Sequence, residues 1–173
     1  KRYHLDMKFS EEDLNQITYP VVVKPSDSSA SRGFSIVSRQ EELKDAYLKA
    51  LAFSENQDII IEEYMCGREF DVAYYVDQGE SYLTFFMENL PVTVNDTNHM
   101  IGIIASGSEN DYRSYMETTQ SKVLELIRAL DFENGHLFFQ MFYQNGQFYF
   151  TEMNARISGV ASYNIFAKTY GIN

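Results

Sequence analysis

The chain has 173 residues, enough for one domain or two small lobes with real cores. Its 14 Lys and Arg stand against 25 Asp and Glu, a formal charge of −11, and the basic residues are scattered singly apart from Lys1-Arg2, which excludes the basic face of a nucleic-acid binder. No apolar run approaches the roughly 18 residues of a membrane span, and the single cysteine, Cys66, excludes an intrachain disulfide, so a reducing, cytoplasmic setting with no membrane partner is expected.

The opening residues 1–10 lack an initiator Met and the apolar core of a signal peptide, and they read as a chain entered in mid-protein. Tyr19 to Lys24 (YPVVVK) is a β-branched run with Pro20 at its first position, and Pro25 ends it. The small polar stretch Ser26 to Gly33 (SDSSASRG) reads as a loop, and Phe34 to Val37 as a second strand, so the pair predicts a hairpin with a long tip. Ser38 and Glu41 have the spacing of a capping box, ahead of Leu43, Ala46, Tyr47, Ala50 and Leu51 on one helical stripe. Ile59-Ile60-Ile61 opens a buried strand.

The second half is richer in strands. Glu69 to Val76, Tyr82 to Met87 and Met100 to Ala105 are predicted strands. Tyr112, Tyr115, Met116, Val123, Ile127 and Leu130 predict one long amphipathic helix. His136 to Tyr143 and Phe148 to Asn154 flank Asn145-Gly146, a strong hairpin signal, and Ser158 to Tyr170 reads as helical. With 13 Tyr, 13 Phe and no Trp, much of the core must be aromatic. A hinge is expected at Cys66-Gly67, between two α+β lobes.

Three clusters carry chemistry. Lys24 at a strand end, followed by small residues, suits a phosphate, because the lysine supplies a point charge and small side chains let backbone N–H groups approach oxygens. The same residues also fit a solvent loop beside a lysine lying along the surface, and the glycine–lysine–hydroxyl order of a Walker A loop is absent. Glu62-Glu63-Tyr64-Met65 leaves a buried strand and is able to offer backbone groups to an adenine edge, while Glu69 is able to accept from two ribose hydroxyls; an acidic strand end in an acidic chain is the plain alternative. Glu152 and Asn154 are two apart on an aromatic strand and share a face. They suit Mg²⁺, a hard cation that takes oxygen ligands, and Arg156 just beyond suits a phosphate; a polar patch at a sheet edge is the other reading.

Taken in order, YPVVVKP, the small-residue loop, a capped helix, IIIEEYMCGREFDV and FFQMFYQNGQFYFTEMNARISG resemble the ATP-grasp superfamily, particularly the branch of biotin carboxylase and the carbamoyl phosphate synthetase large subunit. The resemblance covers residues 17–170, and its most specific motif is a glutamine or glutamate followed, twelve positions on, by Glu-x-Asn-x-Arg. It implies an α+β ATP-grasp fold: a small lobe over residues 1–66 and a large lobe with a mixed or antiparallel sheet over 67–173, with a nucleotide cleft between them and further segments on both sides of the chain.

The resemblance also implies roles. Lys24 binds the α and β phosphates of ATP, and the loop with Ser28, Ser29, Ser31, Arg32 and Gly33 closes over them, mobile until nucleotide arrives. Glu62 faces the adenine amino group, Glu63, Tyr64 and Met65 line the adenine slot, and Glu69 binds the ribose. Gln140 and Glu152 ligate one Mg²⁺ (Mn²⁺ is an admissible substitute), Glu152 and Asn154 a second, and catalytic Arg156 faces the transferred phosphate. The implied activity is a carboxylate–amine ligase that makes an acyl phosphate for attack by a nucleophile, with ATP, a small carboxylate and an acceptor as partners and a homodimer allowed in the full-length protein. This segment alone is expected to be inactive, because the family's second phosphate lysine precedes it.

The loop has one glycine where relatives carry several, and Gln140 stands where many have glutamate, as the synthetase branch allows. Two alternatives therefore stay open: a carbamoyl phosphate synthetase-like domain acting on bicarbonate, and a nucleotide-binding module without ligase activity. If Asn145-Gly146 closes a plain two-residue turn, Gln140 pairs with Thr151 and Glu152 points to the opposite face. Shared ligation therefore requires an odd loop or a bulge within a strand.

Overall fold

The computed structural model describes residues 2–3, 10–28, 31–94 and 97–157, in two units divided between Met65 and Cys66. In the first unit, β1 (Arg2–Tyr3) and the short helix α1 (Glu11–Asn15) precede β2 (Val21–Pro25) and β3 (Ser35–Val37). A 3-10 turn at Gln40–Glu42 leads into α2 (Leu43–Leu51), and β4 (Ile59–Glu63) closes the unit. The strands form an antiparallel sheet in the order β1-β4-β2-β3.

Alternation along β2 explains the packing. Val21 and Val23 point into a core with Val37, Ile61 and the α2 stripe Leu43, Ala46, Tyr47 and Ala50. Lys24 therefore lies on the other face. The helix entry differs from the expected capping box: the carboxylate that accepts from Ser38 N–H, at 3.0 Å, belongs to Glu42 rather than Glu41. The intervening 3-10 turn delays the start of the α-helix to Leu43, so the residue that reaches back to Ser38 is Glu42, immediately before it. Arg39 holds the same carboxylate at 2.7 Å.

The second unit begins with β5 (Arg68–Asp77), β6 (Glu80–Val94) and β7 (Thr97–Ser106). Two helices follow, α3 (Glu109–Thr118) and α4 (Gln120–Ala129), and then β8 (Gly135–Gln144) and β9 (Gln147–Asn154). The five strands are all antiparallel, in the order β7-β6-β5-β8-β9. The single long helix expected over 112–130 is broken at Thr119, whose φ of −129° leaves the helical region. Two adjacent threonines account for the break. The Thr118 hydroxyl bonds back to Ser114 O at 2.7 Å and also meets the Thr119 hydroxyl, and such local bonds compete with the helix ladder.

One face of this sheet is packed by the helices. Phe70, Val72, Tyr74, Val76, Phe86, Leu137, Phe139 and Met141 enclose Tyr115, Val123 and Ile127 in a core rich in aromatic rings. Phe70 stacks on Phe86 with ring centroids 5.0 Å apart. At the rim, Arg68 grips Asp111 through two N–H groups, at 2.9 and 2.5 Å, and pairs with Glu88 at 3.3 Å. The guanidinium holds the Asp111 carboxyl below the usual range, helped by Ser108, whose side chain caps α3. Gly67, at the start of the unit, has no room for a side chain, since a Cβ would lie 2.3 Å from Tyr143 O.

The predicted helix at Ser158 to Tyr170 lies outside the described residues. No helix among the described residues is long and apolar enough to cross a membrane.

Candidate functional site

The site residues of the first unit sit at the ends of β2 and β4. Val22 pairs with Glu62, so Lys24 and Glu62 are diagonal neighbours on the face away from the core. Their side chains form an ion pair at 2.5 Å, each about one-third exposed. Such a half-exposed pair contributes about 0–1 kcal/mol. Either partner can therefore exchange for a ligand group at small cost. Tyr64 N–H donates to Pro20 O at 3.1 Å, so that backbone group is already satisfied within the unit.

The loop after β2 is tied down at its base. Asp27 accepts from Asn56 N–H at 2.8 Å, and that bond holds its carboxyl below the usual range. Ser26 N–H donates to Asp58 O at 2.9 Å. Ser31 and Gly33 adopt positive φ, 57° and 76°. The Ser28 hydroxyl is buried with no hydrogen-bond partner among the described residues. A buried hydroxyl left in this way is costly unless a partner arrives. Ser29 lies outside the described residues, and Arg32 and Glu63 are exposed.

In the second unit, the hairpin after β8 is a two-residue turn, with Asn145 and Gly146 at φ 52° and 77° between the partners Gln144 and Gln147. That turn alone would set Gln140 against Thr151. Instead the register shifts between Gln140 and Met141. Met141 pairs with Phe150, and Gln140 pairs with Glu152. Thr151 is the extra residue of the bulge, and its hydroxyl donates to Gln140 O at 3.1 Å. A second bulge repeats the device: the β5–β6 register shifts at Ala73, and the Thr84 hydroxyl donates to Ala73 O at 3.0 Å. In both places a threonine hydroxyl satisfies a carbonyl on the strand opposite the bulge.

The bulge aligns polar groups on the face opposite the aromatic core. Asp71 pairs with Gln140, and Gln140 with Glu152, making one row across β5, β8 and β9. Glu69 stands two residues from Asp71, opposite Asn89, and Asn154 two residues from Glu152. Asn89 donates to Asp71 at 2.8 Å and to Glu69 at 3.4 Å, and Asn154 Nδ2 donates to Glu152 Oε1 at 2.7 Å. Arg156 is exposed, donates to Ile157 O at 3.1 Å, and lies 6.0 Å from the Phe138 ring centre.

Electrostatics set this face apart. Burial pushes the Asp71 carboxyl up to about 6, and Glu69 pushes it the same way against the opposing effects of Asn89 and Gln140. Burial likewise raises Glu69, with Glu152 adding to the shift. Carboxylates held above their usual range by burial and by one another are relieved by a cation. The donor set of Gln140, Glu152 and Asn154 is all hard oxygen, once the Asn154 amide is turned to present its carbonyl. Among the described residues no three of His, Cys, Asp and Glu converge as a ready metal site, so any ion here would depend on amide oxygens and on its own ligands.

Asp71 and Asn89 were missed by sequence reasoning. The signal was available: Glu69 and Asp71 repeat, within an apolar strand, the two-residue spacing of Glu152 and Asn154.

A family model described as ATP-grasp domain matches residues 17–164. The N-terminal section of the carbamoyl phosphate synthase large chain from Methanopyrus kandleri is 28% identical over 153 residues, covering 86% of this chain and 27% of that protein. Among solved structures, the biotin carboxylase β-γ-ATP complex from Campylobacter jejuni superposes with a TM-score of 0.73 at 21% identity, covering 92% of this chain and 36% of the other. The biotin carboxylase domain dimer of Hydrogenobacter thermophilus 2-oxoglutarate carboxylase, solved with MgADP, ADP and bicarbonate, gives a TM-score of 0.67 at 19% identity, covering 91% and 35%. The chain thus spans 27 to 36% of the length of these relatives, and the structural likeness speaks to fold alone.

Proposed function

This chain belongs to the ATP-grasp family, and from that premise we propose that it is the nucleotide-handling part of an ATP-dependent ligase that activates a carboxylate, or bicarbonate, as an acyl phosphate. The carboxylate oxygen attacks the γ-phosphorus and ADP leaves. An amine or similar nucleophile then displaces inorganic phosphate from the acyl carbon. Such chemistry asks the protein for positioning and charge neutralisation more than for covalent catalysis.

Residues 1–66 act as the small lobe. Lys24 holds the α and β phosphates, exchanging its pairing with Glu62 for them, and Glu62 then accepts from the adenine amino group. Glu63, Tyr64 and Met65 line the adenine. The loop with Ser28, Ser31, Arg32 and Gly33 supplies donors to the phosphates, and the partnerless Ser28 hydroxyl fits that task. Residues 67–173 act as the large lobe. Glu69 accepts from the ribose hydroxyls, Gln140, Glu152 and Asn154 hold Mg²⁺, and Arg156 faces the transferred phosphoryl group. Bound Mg²⁺ would offset phosphate charge, while these residues fix where the phosphates lie.

The observation that supports this most is the row Asp71–Gln140–Glu152, set on one face by a bulge that a plain hairpin would lack. A sheet face that merely met water would gain nothing from burying Asp71 and half-burying Glu69, acids whose burial raises their pKa values. Calorimetry of the full-length protein with MgATP, followed by an acceptor screen for ADP release, tests the reading. Absence of nucleotide binding would sink it, and binding without turnover of any acceptor would favour a non-catalytic nucleotide module. The similarity to the carbamoyl phosphate synthase section favours bicarbonate as the first substrate to try in the carboxylate's place.

A further inference from the structure

Asp71 occupies an unusual position for an acid. It lies on the middle strand of the five-stranded sheet and is only 1% exposed. Asn89 donates to Oδ1 at 2.8 Å, and Oδ2 is buried with no hydrogen-bond partner among the described residues. Gln140 stands directly opposite on one side, and Glu152 stands directly opposite Gln140 on the next strand. Side chains opposed in this way have Cβ atoms about 4.5–5.5 Å apart, within reach of one another's polar ends.

A glutamine side chain has a donor end and an acceptor end, and Gln140 lies between two carboxylates. If its NH₂ turns to Glu152, its oxygen faces the buried Asp71 carboxylate and the two repel. If its NH₂ turns to Asp71, it satisfies the partnerless Oδ2, and the carbonyl oxygen then stands beside Glu152, where a cation would take both. We propose that Asp71 is a positioning residue that fixes the Gln140 amide with its oxygen toward the metal. This rests on the reading of Gln140 and Glu152 as metal ligands. The neighbour of a metal ligand often sets its orientation, and its loss typically lowers metal affinity 10–100-fold.

The chemistry explains why the residue is an acid. Two NH₂ groups, from Asn89 and Gln140, converge on it, and a carboxylate offers an acceptor to each. The isosteric asparagine offers one acceptor and adds a donor of its own, so it must abandon one neighbour or clash with it.

The test uses the full-length protein with ADP and Mn²⁺ as the probe, free Mn²⁺ being followed by electron paramagnetic resonance, and variants Asp71→Asn, Asp71→Ala, Gln140→Ala and Asp71→Asn/Gln140→Ala. Asp71→Asn and Asp71→Ala should each weaken Mn²⁺ binding about tenfold, with the far-UV circular dichroism of Asp71→Asn unchanged. Gln140→Ala should weaken it at least as much, and the double variant should be no weaker than Gln140→Ala alone, because Asp71 acts through Gln140. A merely structural Asp71 would behave differently: whatever Asp71→Asn did to thermal stability, it would leave Mn²⁺ affinity alone. Wild-type affinity in both Asp71 variants beside a weakened Gln140→Ala overturns the proposal and leaves the ligand reading standing. Additive losses in the double variant overturn it as well, because Asp71 would then act independently. Wild-type affinity in Gln140→Ala overturns the ligand reading and the proposal together.

Discussion

The two faces of the five-stranded sheet are built from the same strands and differ in what each asks of its residues. On the helix-covered face, Phe70, Val72, Phe139 and Met141 are fully buried and held by apolar contact. On the other, Glu69, Asp71, Asn89, Gln140, Glu152 and Asn154 interleave with them one residue at a time along the same strands. Apolar packing is non-directional, so a face of that kind tolerates small changes of register. A polar cluster does not, because each donor must meet a particular acceptor. The two threonine bulges lie where the strands serve both faces at once, and they let the polar row align without removing the aromatic side from its core.

The largest effect should come from the packed face. Phe139→Ala removes a fully buried ring that meets Tyr74 and Phe150 edge-on, and should destabilise the second unit by about 3–5 kcal/mol in denaturant unfolding. A loss below about 1 kcal/mol would mean that the helix-covered face is not the main source of stability.

On the polar face, Glu152→Gln removes charge from the ligand assigned to both metals. In the full-length protein, ADP release should fall by about 10²–10³-fold while the fold persists. Full activity would return Glu152 to the role of a surface acid.

Relative to wild type, Asp71→Asn should gain stability in the metal-free protein as pH rises from 4 to 6, by up to about 3 kcal/mol, set against a pH-independent cost for the neighbour it abandons. The sign follows from linkage. The folded carboxyl titrates at about 6, above the ordinary value of 3.8, so between those values the folded state holds a proton that the unfolded chain has lost. Unfolding free energy therefore falls as pH rises through that window and is level above it. The advantage of Asn over Asp should grow from pH 4 to pH 6 and then stop growing, as thermal melts across the series would show. An advantage independent of pH would argue against a buried, titrating Asp71.

The smallest effect is expected in the first unit, where the paired groups are a third exposed. Lys24→Ala should weaken nucleotide binding about tenfold in calorimetry, near 1.4 kcal/mol, with little change in melting temperature because the ion pair with Glu62 contributes little. A large drop in stability would assign Lys24 a structural role.

Strand existence was legible because alternation and β-branched runs are local: VVVK, IIIEE and FYFTEMN each became strands. The hairpin turn was legible for the same reason, since Asn-Gly prefers positive φ at both residues. The break between α3 and α4 was not, because an apolar stripe continues in phase across two threonines whose hydroxyls compete locally with the helix. Asp71 was not singled out either: its two-residue spacing from Glu69 was legible, but its burial and its partners on the neighbouring strands were not.

By itself the sequence determined the strands β2 to β9 in outline, the helix α2, the family of the chain, and that Glu152 and Asn154 share a face, because these depend on patterns along the chain. Only the tertiary structure decided that Gln140 meets Glu152, that Asn89 ties Glu69 to Asp71, and that Asp71 is buried beside them. Those relations cross from strand to strand. Their register was decided by where a threonine hydroxyl reached an opposing carbonyl and an extra residue was taken up, which no count along the chain contains.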